Sequence, residues 1–318
     1  MNKRNFIMLA VLALLVVSLL VSRSCENVEK RFDLFKINHS DIGKIQLKDQ
    51  TNQLVISLVD NVWTIQEPIQ TLARESQMTR FFENFITLTA STIHISESHE
   101  RQNFYHVDST GVEVTIYDKN NKKLTQAFIG RNDNNPMLSY FRYADKNQIY
   151  QIDNVQSIVN PMINTWREDK IVNITQDNIS KISFGNSAST YELFQDGMGW
   201  SLNLNELTAP LGYENADVNR LIQAILNLRT STYFDNVFEE YEDKLATTEL
   251  EIYIEPYTGS IIHLKIAKND DNSYVLQKND EYITLYRLTT QQFNQLNIEP
   301  ENLVPVGDNL PEIEGDFI

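Results

Sequence analysis

"DIGKIQLKDQTNQLVISLVDNVW" (Asp41–Trp63) and "NISKISFGNSASTYELFQDGMGW" (Asn178–Trp200) read as the same unit written twice. Each holds two runs of alternating apolar and polar residues, a turn and a closing tryptophan, the pattern of a hairpin with one buried face. An Ile stands 21 residues before the Trp in both (Ile42 and Trp63, Ile179 and Trp200), at a constant offset of 137.

The likeness continues past the tryptophans. "SQMTRFFENFITLTAS" puts Met78, Phe81, Phe82, Phe85, Ile86 and Leu88 on one helical face, and "NADVNRLIQAILNLRTS" does so with Val218, Leu221, Ile222, Ile225 and Leu228. Alternating strands follow in each copy: "VEVTIY" from Val112 and "LEIYIE" from Leu250, then "QAFIG" and "HLKIA". "SYFRY" and "SYVLQ" come next, then "QIYQID" and "TLYRLT", then short helices near Val155–Asn164 and Thr290–Asn297.

The fold class expected is α+β, two tandem homologous units behind an N-terminal membrane helix. Each unit is a largely antiparallel sheet under one main amphipathic helix. Trp63 and Trp200 are expected to pack beneath those helices. A period of 137 is far too long for a solenoid repeat, so the units are duplicated domains. The boundaries read as 1–23 for a membrane segment, 24–37 for a linker and 38–172 for the first repeat. The second repeat takes 173–304, and 305–318 form an acidic tail.

The opening "MNKRNFIMLAVLALLVVSLLVSRSC" is basic at Lys3 and Arg4 and then uncharged and mostly apolar from Phe6 to Ser22. Seventeen residues at about 1.5 Å each span roughly 25 Å, enough to cross a bilayer with little tilt. "SRSC" offers only a weak version of the A-x-A-like cleavage pattern, and Arg23, with Ser22 in the Leu place, spoils a lipidation site at Cys25, so an uncleaved anchor is expected. The basic-then-apolar order points to a single pass through a bacterial inner membrane with the body on the periplasmic side. Acylation of Cys25, as in a ligand-binding lipoprotein, is the alternative.

The formal charge is −16, and residues 1–23 hold three basic groups and no acid. The remaining 24 basic and 43 acidic residues give −19, a surface that repels phosphate backbones and excludes nucleic acid as a partner. Cys25 is the only cysteine, which removes an internal disulfide and thiol-zinc pairs.

No chemistry-bearing motif stands out. A phosphate loop, an H-E-x-x-H and a G-x-S-x-G elbow are all absent from the sequence. His94, His99 and His106 lie near Glu97, Glu100 and Asp108, but without metal-ligand spacing, and the second copy has no histidine there. "FEEYED" (Phe238–Asp243) reads as a solvated acidic face rather than a calcium loop. Tyr140, Phe141, Tyr143, Tyr150, Tyr274, Tyr282 and Tyr286 read as cross-strand packing rather than sugar platforms. No catalytic, metal or cofactor residue is assigned, and the expectation is a non-enzyme, with an envelope hydrolase the remote option. At the joint "INTWREDKIVNI", Trp166 and Arg167 have no copy in the second half and are expected to pack between the repeats or to meet a partner.

"RFDLFKI" at Arg31, "VWTI" at Val62, "FYHVD" at Phe104, "FIG" at Phe128, "YFRY…QIYQID" from Tyr140 and "WREDK" at Trp166 carry a resemblance in their order. The chain resembles the bacterial family called domain of unknown function 4340. His106 takes the place of the glycine in that family's Tyr-Gly-Leu-Asp-like turn. The resemblance implies no catalytic residues. It implies an accessory role beside an ABC-2-type transporter and gliding-motility proteins, in bacteria like the Bacteroidota.

Overall fold

The computed structural model describes residues 30–304 except 187, 188, 198, 206 and 213. The expected span at Phe6–Ser22, Cys25 and the tail 305–318 lie outside the described residues. No helix among the described residues is long and apolar enough to cross a membrane. The chain divides into two compact units between Glu168 and Asp169, inside the "WREDK" joint. Local hydrogen bonds mark the division. The Glu168 amide donates to Leu72 in the first unit, whereas the Asp169 carbonyl accepts from Thr230 in the second.

The first unit runs β1 (Arg31–Asp33), β2 (Ile42–Lys48), β3 (Gln53–Val59), β4 (Val62–Glu67), β5 (Thr71–Leu72), α1 (Glu75–Arg80) and a π-helical turn Phe81–Phe85. It continues with β6 (Thr89–Ser91), β7 (Val112–Asp118), β8 (Lys123–Arg131), β9 (Leu138–Tyr143), β10 (Tyr150–Asp153) and α2 (Ile163–Trp166). The second unit runs β11 (Ile179–Asn186), β12 (Thr190–Gln195), β13 (Trp200–Leu204), β14 (Leu207–Gly212), α3 (Ala216–Leu226), β15 (Tyr233–Asp235) and α4 (Glu242–Leu245). It closes with β16 (Leu250–Pro256), β17 (Ile262–Lys268), β18 (Tyr274–Lys278), β19 (Thr284–Leu288) and α5 (Thr290–Leu296).

Among the described residues three antiparallel sheets and few helices result. One is the small pair β1–β6; the first unit's main sheet has the order β10-β9-β8-β7-β2-β3-β4-β5. The second unit's sheet is β19-β18-β17-β16-β11-β12-β13-β14, with β15 added beyond β19. Strand for strand the order is the same. The register agrees as well: Lys44 faces Ser57 and, 137 residues on, Lys181 faces Phe194. A bulge interrupts β2–β7 between Ile42 and Lys44, and another interrupts β11–β16 between Ile179 and Lys181. At the first bulge Gly43 is obligatory, because a Cβ there would stand 2.5 Å from the Lys119 Cα. The second unit carries Ser180 at the corresponding place, and its hydroxyl donates to the Glu255 carbonyl at 2.7 Å.

Alternation explains each sheet's two faces. In β2, Ile45 and Leu47 are fully buried while Lys44 and Gln46 stay half-exposed; in β11, Ile182 and Phe184 are buried and Ser183 is not. The Asp60–Asn61 turn between β3 and β4 has φ of 49° and 65°, the paired left-handed conformation of a tight hairpin that Asp and Asn tolerate best.

Helices cover the apolar faces. In α3, Asn215 caps the first turn by accepting from the amides of Asp217 and Val218, and Val218, Leu221, Ile222, Ile225 and Leu226 are buried. They share a cluster with Trp200, Ile182, Leu193 and Ile252. Each such side chain contributes about 1.5–3 kcal/mol on full burial. In the first unit Phe81 and Phe85 are fully buried over Ile45, Leu54, Ile56 and Ile65, and Trp63 stays half-buried beside Phe82 at 5.5 Å.

Each sheet's opposite face is partly roofed. In the second unit Phe238, Tyr241 and Leu245 turn inward onto Ala267, Val275 and Leu285, which leaves Glu239, Glu240, Glu242 and Asp243 in solvent. In the first unit the "FYHVD" turn does this job. A Cβ on Gly130 would lie 1.9 Å from the Tyr105 carbonyl, and one on Gly111 1.9 Å from that of His106. His106 itself sits at φ 52°, the conformation for which a glycine is suited.

Candidate functional site

The uncovered part of the second unit's outer face forms a groove of about 660 Å³. Strand register builds it. Asn203 stands opposite Glu192, Glu192 opposite Ser183, Ser183 opposite Tyr253, and Tyr253 opposite His263, one continuous row across β13, β12, β11, β16 and β17. Because side chains alternate, a row set in register puts all five on the same face. Thr190, Asn205, Thr248 and Glu251 complete the walls near the strand ends.

Two carboxylates anchor the polar network. Glu192 accepts from the Lys181 ammonium at 3.2 Å, the Ser183 hydroxyl at 3.1 Å and the Asn203 amide at 3.4 Å. Lys181 also meets Glu255 at 2.8 Å. Glu251 accepts from Thr248 and from the Tyr253 hydroxyl, each at 3.0 Å, with His263 Nε2 at 3.4 Å. The Tyr253 and His263 rings stack with centroids 4.1 Å apart and planes 10° from parallel.

The electrostatics follow from these bonds. Burial works to raise the Glu192 pKa, but the donors Lys181, Ser183 and Asn203 outweigh it and hold the group below its ordinary value. Glu251 behaves alike, burial being overcome by Thr248, Tyr253 and His263. The Tyr253 phenol is pushed up by desolvation and by its bond to Glu251. Both carboxylates are therefore ionised at neutral pH and act as acceptors, which suits recognition rather than proton donation.

Register positions in the first unit carry other chemistry. Val55, Gln46, Thr115 and Gln126 form the matching row there. Tyr117 donates to Gln46 at 3.3 Å under the Lys44 ammonium, 4.2 Å from its ring centre.

The residues singled out from the sequence lie elsewhere. Trp166 is fully buried in the first unit's own core, edge-on to Phe81 at 5.8 Å, with its indole N–H donating to the Asn160 carbonyl at 2.6 Å. It therefore offers no exposed surface to a partner. Arg167 is buried too, its Nε donating to Asn164 at 2.8 Å, and its backbone bridges to Ala73. His94 pairs with Glu97 at 3.1 Å, while His106 lies 3.3 Å from Thr110 and 3.4 Å from Asp133. Among the described residues no group of His, Cys, Asp or Glu is placed to hold a metal ion. The tyrosines have aromatic neighbours: Tyr140 beside Tyr105, Tyr150 beside Phe32, Tyr274 flat on Phe293 and Tyr282 against Phe238.

The groove row escaped the sequence reading, although a signal was present. The alternation that buries Ile182, Leu193 and Ile252 places their neighbours Ser183, Glu192 and Tyr253 on the outer face.

No curated protein and no solved structure matches the chain. A family model does match, from Trp63 in β4 to Glu251 in the groove wall, which is more than half of the residues. The chain thus belongs to the family described as Domain of unknown function (DUF4340).

Proposed function

We propose that this chain is a non-catalytic envelope protein, anchored by residues 6–22 in a bacterial inner membrane with its body on the periplasmic side. In this reading it is an accessory subunit of an ABC-2-type transporter or gliding-motility-like complex, and its two units are homologous copies of one domain. The recurrence of strand order, hairpin register and bulge at a constant spacing carries the reading. Duplication of a sheet with a polar outer face yields two related recognition surfaces on one tether, an arrangement suited to holding partners together. Support also comes from the apolar run Phe6–Ser22 and from the depressed pKa values of the two groove carboxylates.

A ligand-binding envelope protein is the second reading, favoured by the groove alone. Fractionation tests the attachment. The chain is expected in membranes after a high-salt and carbonate wash, and its body is expected to be digested when protease is added to spheroplasts. Recovery in the soluble fraction, or protection of the body from protease, would remove the anchor or its orientation.

A further inference from the structure

The outer-face row differs between the two units where packing does not require it. Val55, Gln46, Thr115 and Gln126 in the first unit give way to Glu192, Ser183, Tyr253 and His263 in the second. The first row stands on the face opposite the buried Ile45 and Ile56, and the second on the face opposite Ile182 and Leu193, so the apolar cores gain nothing from the exchange. At about 660 Å³ the groove falls within the roughly 300–1,000 Å³ of small-molecule sites.

Hydrogen-bond accounting narrows what fits. The Ser183 hydroxyl donates to Glu192, and those of Thr248 and Tyr253 donate to Glu251. The Asn203 amide donates to Glu192 as well, while its carbonyl oxygen is buried without a partner. The hydroxyls beside the two carboxylates are thus committed inward, so the centre of the groove presents mainly lone pairs, while Thr190 and Asn205 add a hydroxyl and an amide on its walls. A ligand must bring donors. Lys181 and His263 stand beside the groove rather than in its lining, the one turned to Glu192 and Glu255 and the other to Glu251, so neither calls for an anion. The Glu192 charge is already met by Lys181, so the groove does not call for a second cation at that side. Tyr253 adds a flat apolar wall; it is 38% exposed, and one face of its ring is held by His263.

We propose that this groove binds a neutral carbohydrate, whose hydroxyls donate to Glu192, Glu251 and the Asn203 carbonyl while a pyranose C–H face rests on Tyr253. Carboxylate and amide acceptors beside an aromatic ring match a pyranose, which has many hydroxyl hydrogens and one apolar face. Binding without hydrolysis is expected, since neither carboxylate is held protonated to serve as a general acid.

Titration calorimetry on the full chain tests this, in a detergent without a sugar headgroup so that the micelle does not compete. The probes are cellotetraose, maltotetraose, chitotetraose and xylotetraose, with spermidine as the cationic arm. At least one tetrasaccharide should bind saturably, and Tyr253→Ala should weaken it by about tenfold or more, a loss readable as a shift in Kd. Tyr253→Phe keeps the ring and should stay within about threefold of wild type. Asn203→Ala should weaken binding without lowering Tm, which separates a lost acceptor from a lost fold. Absence of binding by every tetrasaccharide, binding of spermidine in their place, or wild-type affinity in Tyr253→Ala would each overturn the proposal. The measurement needs neither the membrane nor a partner protein, so its failure and the failure of the transporter reading are distinct.

Discussion

Replacing Trp166 with Ala removes the largest side chain of the first unit's core. The indole is fully buried, meets Phe81 edge-on at 5.8 Å and donates its N–H to the Asn160 carbonyl at 2.6 Å. Truncating a buried aromatic to Ala costs about 3–5 kcal/mol, and the stranded carbonyl puts this site toward the upper end. For a unit spanning residues 30–168, about 2–4 °C is lost per kcal/mol, so Tm should fall by roughly 10–15 °C. Near-UV circular dichroism on the purified full chain reads the melt, and hydrogen exchange locates it. The Arg74 amide, which donates to the Trp166 carbonyl at 2.6 Å, should lose protection along with Phe81–Ile86. Trp166→Phe retains most of the ring and should cost about half as much or less. A melt within about 3 °C of wild type for Trp166→Ala would refute the burial argument.

Four further outcomes follow from separate sites. Gly130→Ala drives a Cβ to 1.9 Å from the Tyr105 carbonyl and should destabilise by about 1–3 kcal/mol or more in urea denaturation. Gly185→Ala, which meets only Thr190 Cγ2 at 3.8 Å, should stay within about 0.5 kcal/mol. Glu192 has its folded pKa below the unfolded value, so its contribution is present above the ordinary Glu range and lost as pH falls through the folded value. Glu192→Gln should therefore be less stable than wild type at pH 7 by under about 1 kcal/mol. That gap should close in acid, and a pH-independent gap would contradict the Lys181 pairing. Cys25→Ser should leave membrane retention unchanged; a mutant released to the soluble fraction, with loss of palmitate labelling, would establish a lipoprotein.

Much of the fold was legible because alternation and helical periodicity are local. Ile45 and Leu47 against Lys44 and Gln46, or Val218, Leu221, Ile222 and Ile225 in sequence, announce a buried face without any knowledge of neighbours. Trp166 was placed less well. The sequence shows that it lies at a joint, but whether its ring turns back or forward depends on the backbone pairing of Glu168 with Leu72. The π-helical turn at Phe81–Phe85 was not legible either, since one bond from the Ile86 amide to the Phe81 carbonyl separates it from an α-helix. The groove depends on five strands in register, and its residues come from segments 183–263, so no short motif could carry it. His106 was legible only as an exception: its positive φ fulfils what a glycine would do in a turn pressed on Gly111 and Gly130.

Isolation of the tagged chain from native membranes, at native expression level and with quantitative mass spectrometry of what accompanies it, bears most directly on the proposed role. The expected result is a membrane-extracted assembly in which an ABC-2-type permease and its ATPase are enriched in fixed ratio to the chain, and in which that ratio survives a salt wash. A chain that leaves the membrane alone, with neither transporter subunit above background, would contradict an accessory subunit.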